Sequence, residues 1–251
     1  MSVFISGASA GIGEACARAF AAAKHDLVLV ARRKDRLEKL AQELKSEFKV
    51  QVHTFECDVQ KRKSVEALFQ KDAAVMKTVD ILLNNAGLAV GRGPIQDGNP
   101  DDWDTMFDTN VKGLLYVTHA FLPQMIAAKR GHIINMGSAA GHWVYPNGNI
   151  YCATKYAVHA LTQALRVDTL GSGIRVTEIS PGMVESDFSK VRFKGDMDKA
   201  NAIYQGITPL TPVDVAETVL WCASRPAHVN IQDVVMFPTA QASVEHAFRR
   251  K

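Results

Sequence analysis

Cysteine is sparse in this chain and badly spaced for metal chemistry. Cys16, Cys57, Cys152 and Cys222 lie far apart, with no C-x-x-C pair and no histidine cluster beside them. That argues against a zinc site or a disulfide framework and fits a reducing compartment; no metal is expected. Charge of one sign is also missing. Lys and Arg number 29 against 26 Asp and Glu, a formal net charge of +3, and the two signs alternate in stretches such as "ARRKDRLEKLAQELKSE". No nucleic-acid or membrane patch stands out. The chain has no long apolar segment and no basic leader before "SVFISG", so neither a signal peptide nor a membrane span is expected, and a cytoplasmic location is. Linkers, tandem repeats and low-complexity tracts are absent too.

What remains is ordinary globular composition, 47% hydrophobic and 22% charged over 251 residues, enough to bury a large core. Seven short apolar runs recur: "SVFIS", "DLVLVA", "VQVHTFEC", "DILLN", "GHIINM", "IRVTEIS" and "DVVMF". Their continuous hydrophobicity suits strands buried on both faces. Helical patterns separate them. Residues 35 to 47 read as a charged amphipathic helix, and 101 to 129 as a helical region with acids at its start and Lys129, Arg130 and Gly131 at its end. Strand and helix alternate throughout, which predicts one α/β domain over 1–251, a doubly wound parallel sheet of about seven strands flanked by helices. One connection is longer than the rest: residues 183–211, with Phe188, Phe193 and Tyr204 spaced through it, read as a lid over a site or as a surface loop.

The first strand runs into "SGASAGIG", with Gly7, Gly11 and Gly13 followed by a helical pattern. Glycine lets a backbone turn tightly against a pyrophosphate, and the free N–H groups at a helix start attract its charge. A tight turn without a ligand is the alternative. The second strand ends in "VARRKD", so Arg32 and Arg33 stand where a dinucleotide fold selecting NAD places an acid. Arginine there favours a 2′-phosphate and hence NADP(H), although Arg33 can equally start a surface helix.

Further on, "YCATK" sets Tyr151 and Lys155 one helical turn apart, where a cation can act on a phenol. Alone it is a common surface pair. The ordered set "GASAGIG", "NNAG" at 84–87, Asn110 in "DTNVKG", Ser138 in "INMGS", "YCATK" and "PG" at 181–182 resembles the short-chain dehydrogenase/reductase family over essentially the whole chain. "NNAGLAVG", "DDWDTMFDTN", "VRFKGD" and "RPAHVNI" are similar to its NADP-dependent serine/3-hydroxy acid dehydrogenase branch.

That resemblance implies a Rossmann-type fold, hydride transfer, and a catalytic tetrad of Asn110, Ser138, Tyr151 and Lys155. Tyr151 would exchange the alcohol proton, with Lys155 lowering its pKa by roughly 1 to 3 units and holding the nicotinamide ribose. Ser138 would position the substrate oxygen, and Asn110 would anchor a relay water. The dinucleotide would lie along Gly7, Ser9, Gly11, Ile12 and Gly13, then Asp58 and Val59 at the adenine. Asn84, Ala86 and Gly87 would line the adenosine ribose. Tyr151, Lys155, Pro181, Gly182 and Val184 would follow toward the nicotinamide, with Ser186 supplying the carboxamide contact that a threonine usually makes.

The family also implies a homotetramer, consistent with the apolar residues on more than one side of the "YAVHALTQALRVDTL" helix. A small hydroxy acid needs a cation, for which Arg192 and Lys194 are candidates, and His142, Trp143, Met183 and Phe188 are candidates for the pocket wall. Cys152 reads as a small buried filler, since no base is spaced to activate it. The leading expectation is an oxidoreductase of small 3-hydroxy acids. A broad carbonyl reductase for apolar ketones and a non-catalytic NADP(H)-sensing regulator are the alternatives.

Overall fold

The computed structural model describes residues 1–250. Seven strands form one sheet in the order β3-β2-β1-β4-β5-β6-β7, every neighbouring pair parallel. They are β1 (Ser2–Ser6), β2 (Asp26–Ala31), β3 (Val52–Glu56), β4 (Val79–Asn84), β5 (Gly131–Met136), β6 (Ile174–Pro181) and β7 (Asp233–Met236). Each of the seven apolar runs became a strand. Parallel strands need crossovers, and helices supply them: α1 (Gly11–Ala22), α2 (Lys34–Phe48), α3 (Arg62–Lys71), α4 (Ala73–Lys77), α5 (Pro100–Phe107), α6 (Leu114–Ala128) and α7 (Asn149–Asp168). Beyond β6 come α8 (Asp187–Arg192), α9 (Met197–Ala202) and α10 (Pro212–Ala223).

The sheet carries a core on each face, as its apolar strands require. On one side Phe20, Leu37, Leu44 and Val219 pack against Ile5, Leu29 and Leu83. On the other, Phe121, Leu68 and Met125 cover Phe4, Val28 and Leu82, with the Phe4 and Phe121 rings edge to face at 4.8 Å. Full burial of such a side chain contributes about 1.5–3 kcal/mol. In α2 the buried set Leu37, Leu40, Ala41 and Leu44 follows the 3.6-residue period, which is why the remaining face could be charged.

Strand order reverses between β1 and β4, so connections leave their carboxyl ends in opposite directions and open a crevice there. Ser6 closes the floor of that crevice. Its hydroxyl accepts from the backbone N–H of Asn85 and of Ala86, both at 3.0 Å, and joins the end of β1 to the turn after β4.

The 101–129 region departs from the single helical stretch expected. Between α5 and α6 the backbone widens into a π-helical turn at Asp108–Gly113. Its Asn110 amide holds the segment after β4 from both sides: Oδ1 accepts from Leu88 N–H and Nδ2 donates to Leu88 C=O, each at 2.8 Å. Nδ2 also donates to Thr154 Oγ1 on α7 at 3.0 Å. Periodicity could not reveal this, because the partners are 22 and 44 residues away.

Candidate active site

A cavity of about 600 Å³ occupies the crevice. One wall is the glycine-rich turn. Gly7 and Gly11 take positive φ of 68° and 57°, and a Cβ on Gly7 would lie 2.9 Å from the Ala86 Cα. Gly13 serves differently from the expected phosphate contact: it does not line the cavity, and any Cβ there would run into the Gly7 carbonyl and the Asn85 amide. It lets α1 close on the turn. At the start of α1, Ala10 has no side chain that can cap the helix, so the first N–H groups face the cavity.

Arg32, Arg33 and Arg36 gather at the far end. Arg33 Nε and Nη2 both donate to Ser9 Oγ, at 3.1 and 2.9 Å, which lays its guanidinium over the turn. Partial burial, Arg36 and Arg32 pull the Arg33 pKa below its ordinary value, although Asp187 acts the other way. Three guanidinium groups side by side are what a phosphate would neutralise. With the uncapped helix and the close-packed glycines, these residues fit a dinucleotide bearing a 2′-phosphate. Asp58, Val59, Ala86, Gly87, Pro181, Gly182, Val184 and Ser186 line the same cavity, as do Ile12 and Ser9.

Asn84 does not. It is buried, and its Nδ2 donates to Thr118 Oγ1 and Asn135 Oδ1, both at 2.9 Å, tying β4 to α6 and β5. Side chains alternate along a strand, so the next residue, Asn85, reaches the cavity instead. Sequence reasoning also missed Arg36, one helical turn beyond Arg32 and Arg33, and Gln60 and Thr109. The spacing along α2 would have revealed Arg36; Thr109 had no signal.

Ser138, Tyr151 and Lys155 meet at the near end. Ser138 caps the short turn Ala139–Gly141, accepting from Ala140 N–H at 3.1 Å. Tyr151 is 9% exposed, and burial pushes its phenol above the ordinary value, against the opposing effects of a Ser138 hydrogen bond and the Arg192 charge. This differs from the expected lowering by Lys155. Water is excluded from the phenol, and that outweighs the neighbouring charges. Lys155 is itself 5% exposed, with burial pulling its pKa down to about 8 while Glu178 pulls it up. Its Nζ lies 5.9 Å from the Tyr151 ring centroid and donates to Met136 C=O at 2.8 Å, leaving two ammonium protons for other partners. Asn110 stands behind them with both Nδ2 protons and one Oδ1 lone pair engaged by Leu88 and Thr154. Cys152 is buried and burial raises its thiol, in keeping with a filler.

The 183–211 segment is built of α8 and α9 beside the cavity, and Phe188, Lys190, Val191 and Lys194 form part of its wall. Its ends meet where Glu185 N–H donates to Leu210 C=O and Leu210 N–H to Met183 C=O, both at 2.9 Å. Arg192 does not line the large cavity, but its guanidinium carbon sits 5.5 Å from the Tyr151 ring centroid and 5.5 Å from that of Tyr145. Nη2 donates to Tyr145 Oη at 2.6 Å, and Nε is buried without a hydrogen-bond partner. Lys194 pairs instead with Asp102 at 2.8 Å. His142 is directed elsewhere. Its ring bonds Ser180 Oγ at 3.1 Å and lies 3.5 Å from Asp233, behind β6 and away from the cavity wall, and Trp143 follows it toward Phe237.

No helix among the described residues is long and apolar enough to cross a membrane. An NADP-dependent 3-hydroxy acid dehydrogenase of Salmonella typhi is 46% identical over 243 residues, 96% of each chain. Sulfoacetaldehyde reductase 2 of Chromohalobacter salexigens is 45% identical over 241 residues, 96% of this chain and 95% of that one. Among solved structures, the closed form of a serine dehydrogenase complexed with NADP+ superposes with a TM-score of 0.92 at 44% identity, over 100% of both chains. The family model for short chain dehydrogenases matches residues 1–196, the span that holds the glycine-rich turn, the Asn110 π-turn, Ser138, Tyr151 and Lys155. This chain therefore belongs to the short-chain dehydrogenase family.

Proposed function

We propose that the protein is an NADP-dependent oxidoreductase of small 3-hydroxy acids, with Tyr151 as general acid and base. The observation that carries the substrate class is the buried, unpartnered Nε of Arg192 beside the Tyr151 ring. A buried guanidinium N–H without an acceptor is costly, and a substrate carboxylate would satisfy it. The named relatives support the reading, since both a 3-hydroxy acid and sulfoacetaldehyde carry an anion one carbon removed from the reacting carbon.

A bound dinucleotide would supply the hydride acceptor or donor, held by the Arg32, Arg33 and Arg36 cluster, the start of α1 and Lys155. This chain's residues do the rest. Ser138 holds the substrate oxygen against Tyr151 Oη. Burial keeps the phenol protonated, ready to donate when a carbonyl is reduced; in the reverse direction the Ser138 hydrogen bond and the Arg192 charge favour the phenolate that must take up the alcohol proton. Phe188, on α8, stacks edge to face on Tyr151 at 5.5 Å and excludes water. The 183–211 segment thus acts as a lid. The whole chain works as one domain. Leu115, Ile126, Tyr156 and Val167 leave an apolar strip exposed on α6 and α7, which supports assembly into a homotetramer; sedimentation of the pure chain as a monomer would remove that part.

The test pairs substrates of one length. With NADP+, a 3-hydroxy carboxylate should turn over far faster than its uncharged methyl ester, and Arg192→Gln should abolish the difference. Equal rates on acid and ester in the unaltered enzyme would favour a broad carbonyl reductase. Preference for a sulfonate over the carboxylate would keep the Arg192 role and change the substrate.

A further inference from the structure

Behind the catalytic residues, on the side of β6 turned from the cavity, lies a cluster that hydride transfer leaves unused. Ligand atoms of His142, His159 and Asp233 all lie within 4.8 Å of one another. Glu178, 0% exposed, stands beside this group of three: its Oε2 is 2.9 Å from His159 Nδ1 and its Oε1 is 3.9 Å from His142 Nε2. Asp233 opens β7 directly opposite Glu178 in the sheet register. The four residues therefore come from separate pieces of chain: the turn after Ser138, α7, β6 and β7.

We propose that this cluster is a binding site for a divalent transition metal of the zinc class, with His142 Nε2, His159 Nδ1 and Asp233 as ligands and Glu178 as the fourth. Two imidazoles and two carboxylates are a ligand set such ions accept, with bonds of about 2.0–2.2 Å reached by small side-chain rotations. Hard ions such as Mg²⁺ prefer all-oxygen shells. Charge balances, because two carboxylates neutralise the dication. Surrounding groups are placed to orient the ligands. Ser180 Oγ donates to Glu178 Oε1 at 2.9 Å. Gln163 Nε2 stands 2.7 Å from His159 Nε2, and turning its amide would let the oxygen accept an Nε2–H, fixing the tautomer that leaves Nδ1 free. On binding, the proton now shared by His159 Nδ1 and Glu178 leaves to solvent, and His142 gives up its Nε2 contact with Ser180 Oγ, its ring carrying the proton on Nδ1 instead so that Nε2 is free to ligate. The bound ion would brace the helix carrying Tyr151 and Lys155 against the segment carrying Ser138. Cysteine spacing predicted no metal, and this cluster uses none.

The test is calorimetric titration of chelator-treated full chain with Zn²⁺ and with Mg²⁺, with melting curves alongside. One Zn²⁺ per chain is expected, with at least tenfold weaker binding in Asp233→Asn and in His159→Gln, about tenfold weaker in Gln163→Ala, and no Mg²⁺ binding. At a hundredfold excess over its dissociation constant, Zn²⁺ should raise the melting midpoint of the unaltered chain by roughly 5–10 °C, and that of Asp233→Asn far less. Asp233 lies at an accessible sheet edge, so its variant keeps the fold if His159→Gln does not. No Zn²⁺ uptake, or uptake equally tight in Asp233→Asn, would overturn the site.

Discussion

The two ends of the cavity are built on different principles. At the arginine end each part is local in sequence: a turn with the helix that follows it, and three arginines within five residues where β2 passes into α2. At the tyrosine end, Ser138 comes from the turn after β5 and Tyr151 and Lys155 from α7, with Arg192 of the 183–211 segment against the Tyr151 ring, and burial more than neighbouring charges sets the state of Tyr151 and Lys155. A polyanion arm can be held by loose, solvated cations. A proton in transit cannot, because its energy depends on how completely water is removed.

That contrast can be broken in graded steps. Tyr151→Phe removes the proton carrier and should lower kcat/KM by about 10²–10⁴-fold while leaving NADPH affinity, read by fluorescence titration, within a factor of two. A parallel loss of affinity would mean that the two ends are not separable. Arg192→Gln should cost roughly 10–100-fold on a carboxylate substrate and little on an uncharged ketone, the loss of one charged hydrogen bond. Arg33→Ala should raise the KM for NADPH about tenfold and leave that for NADH unchanged, since only the former carries the extra phosphate. An equal rise for both would assign Arg33 to the fold.

The last effect concerns pH and is read in stability rather than in turnover. Lys155 has a folded pKa near 8, below its ordinary 10.5, so between those values the unfolded chain binds more protons than the native one. Stability then rises with pH across that window. Replacing Lys155 with methionine should flatten this rise in urea titrations at pH 8 and pH 10. An unchanged slope would show that the ammonium is not held in a desolvated state.

Much of this was legible beforehand for identifiable reasons. All seven strands were readable because a parallel strand is apolar on both faces, whatever it pairs with. The glycine-rich turn, Arg32 and Arg33, and the Tyr151–Lys155 pair were readable because each depends on residues within one turn or one helix. Asn84 and Asn85 show the limit. The motif is the same, but which of two adjacent amides faces the cavity depends on the phase of β4 in the sheet. His142 was placed in the substrate pocket by its nearness to Ser138 in sequence, yet the turn of Ala139–Gly141 swings it behind β6, to His159 and Asp233.

The order of apolar runs and breakers determined by itself that this chain would wind a parallel sheet with a nucleotide crevice at its strand ends. Only the tertiary structure decided the protonation of Tyr151 and Lys155, the committed role of Asn110 and the company kept by His142 and Arg192. Periodicity is a property of neighbours along the chain, whereas desolvation and long-range hydrogen bonds depend on segments that meet only after the sheet has formed.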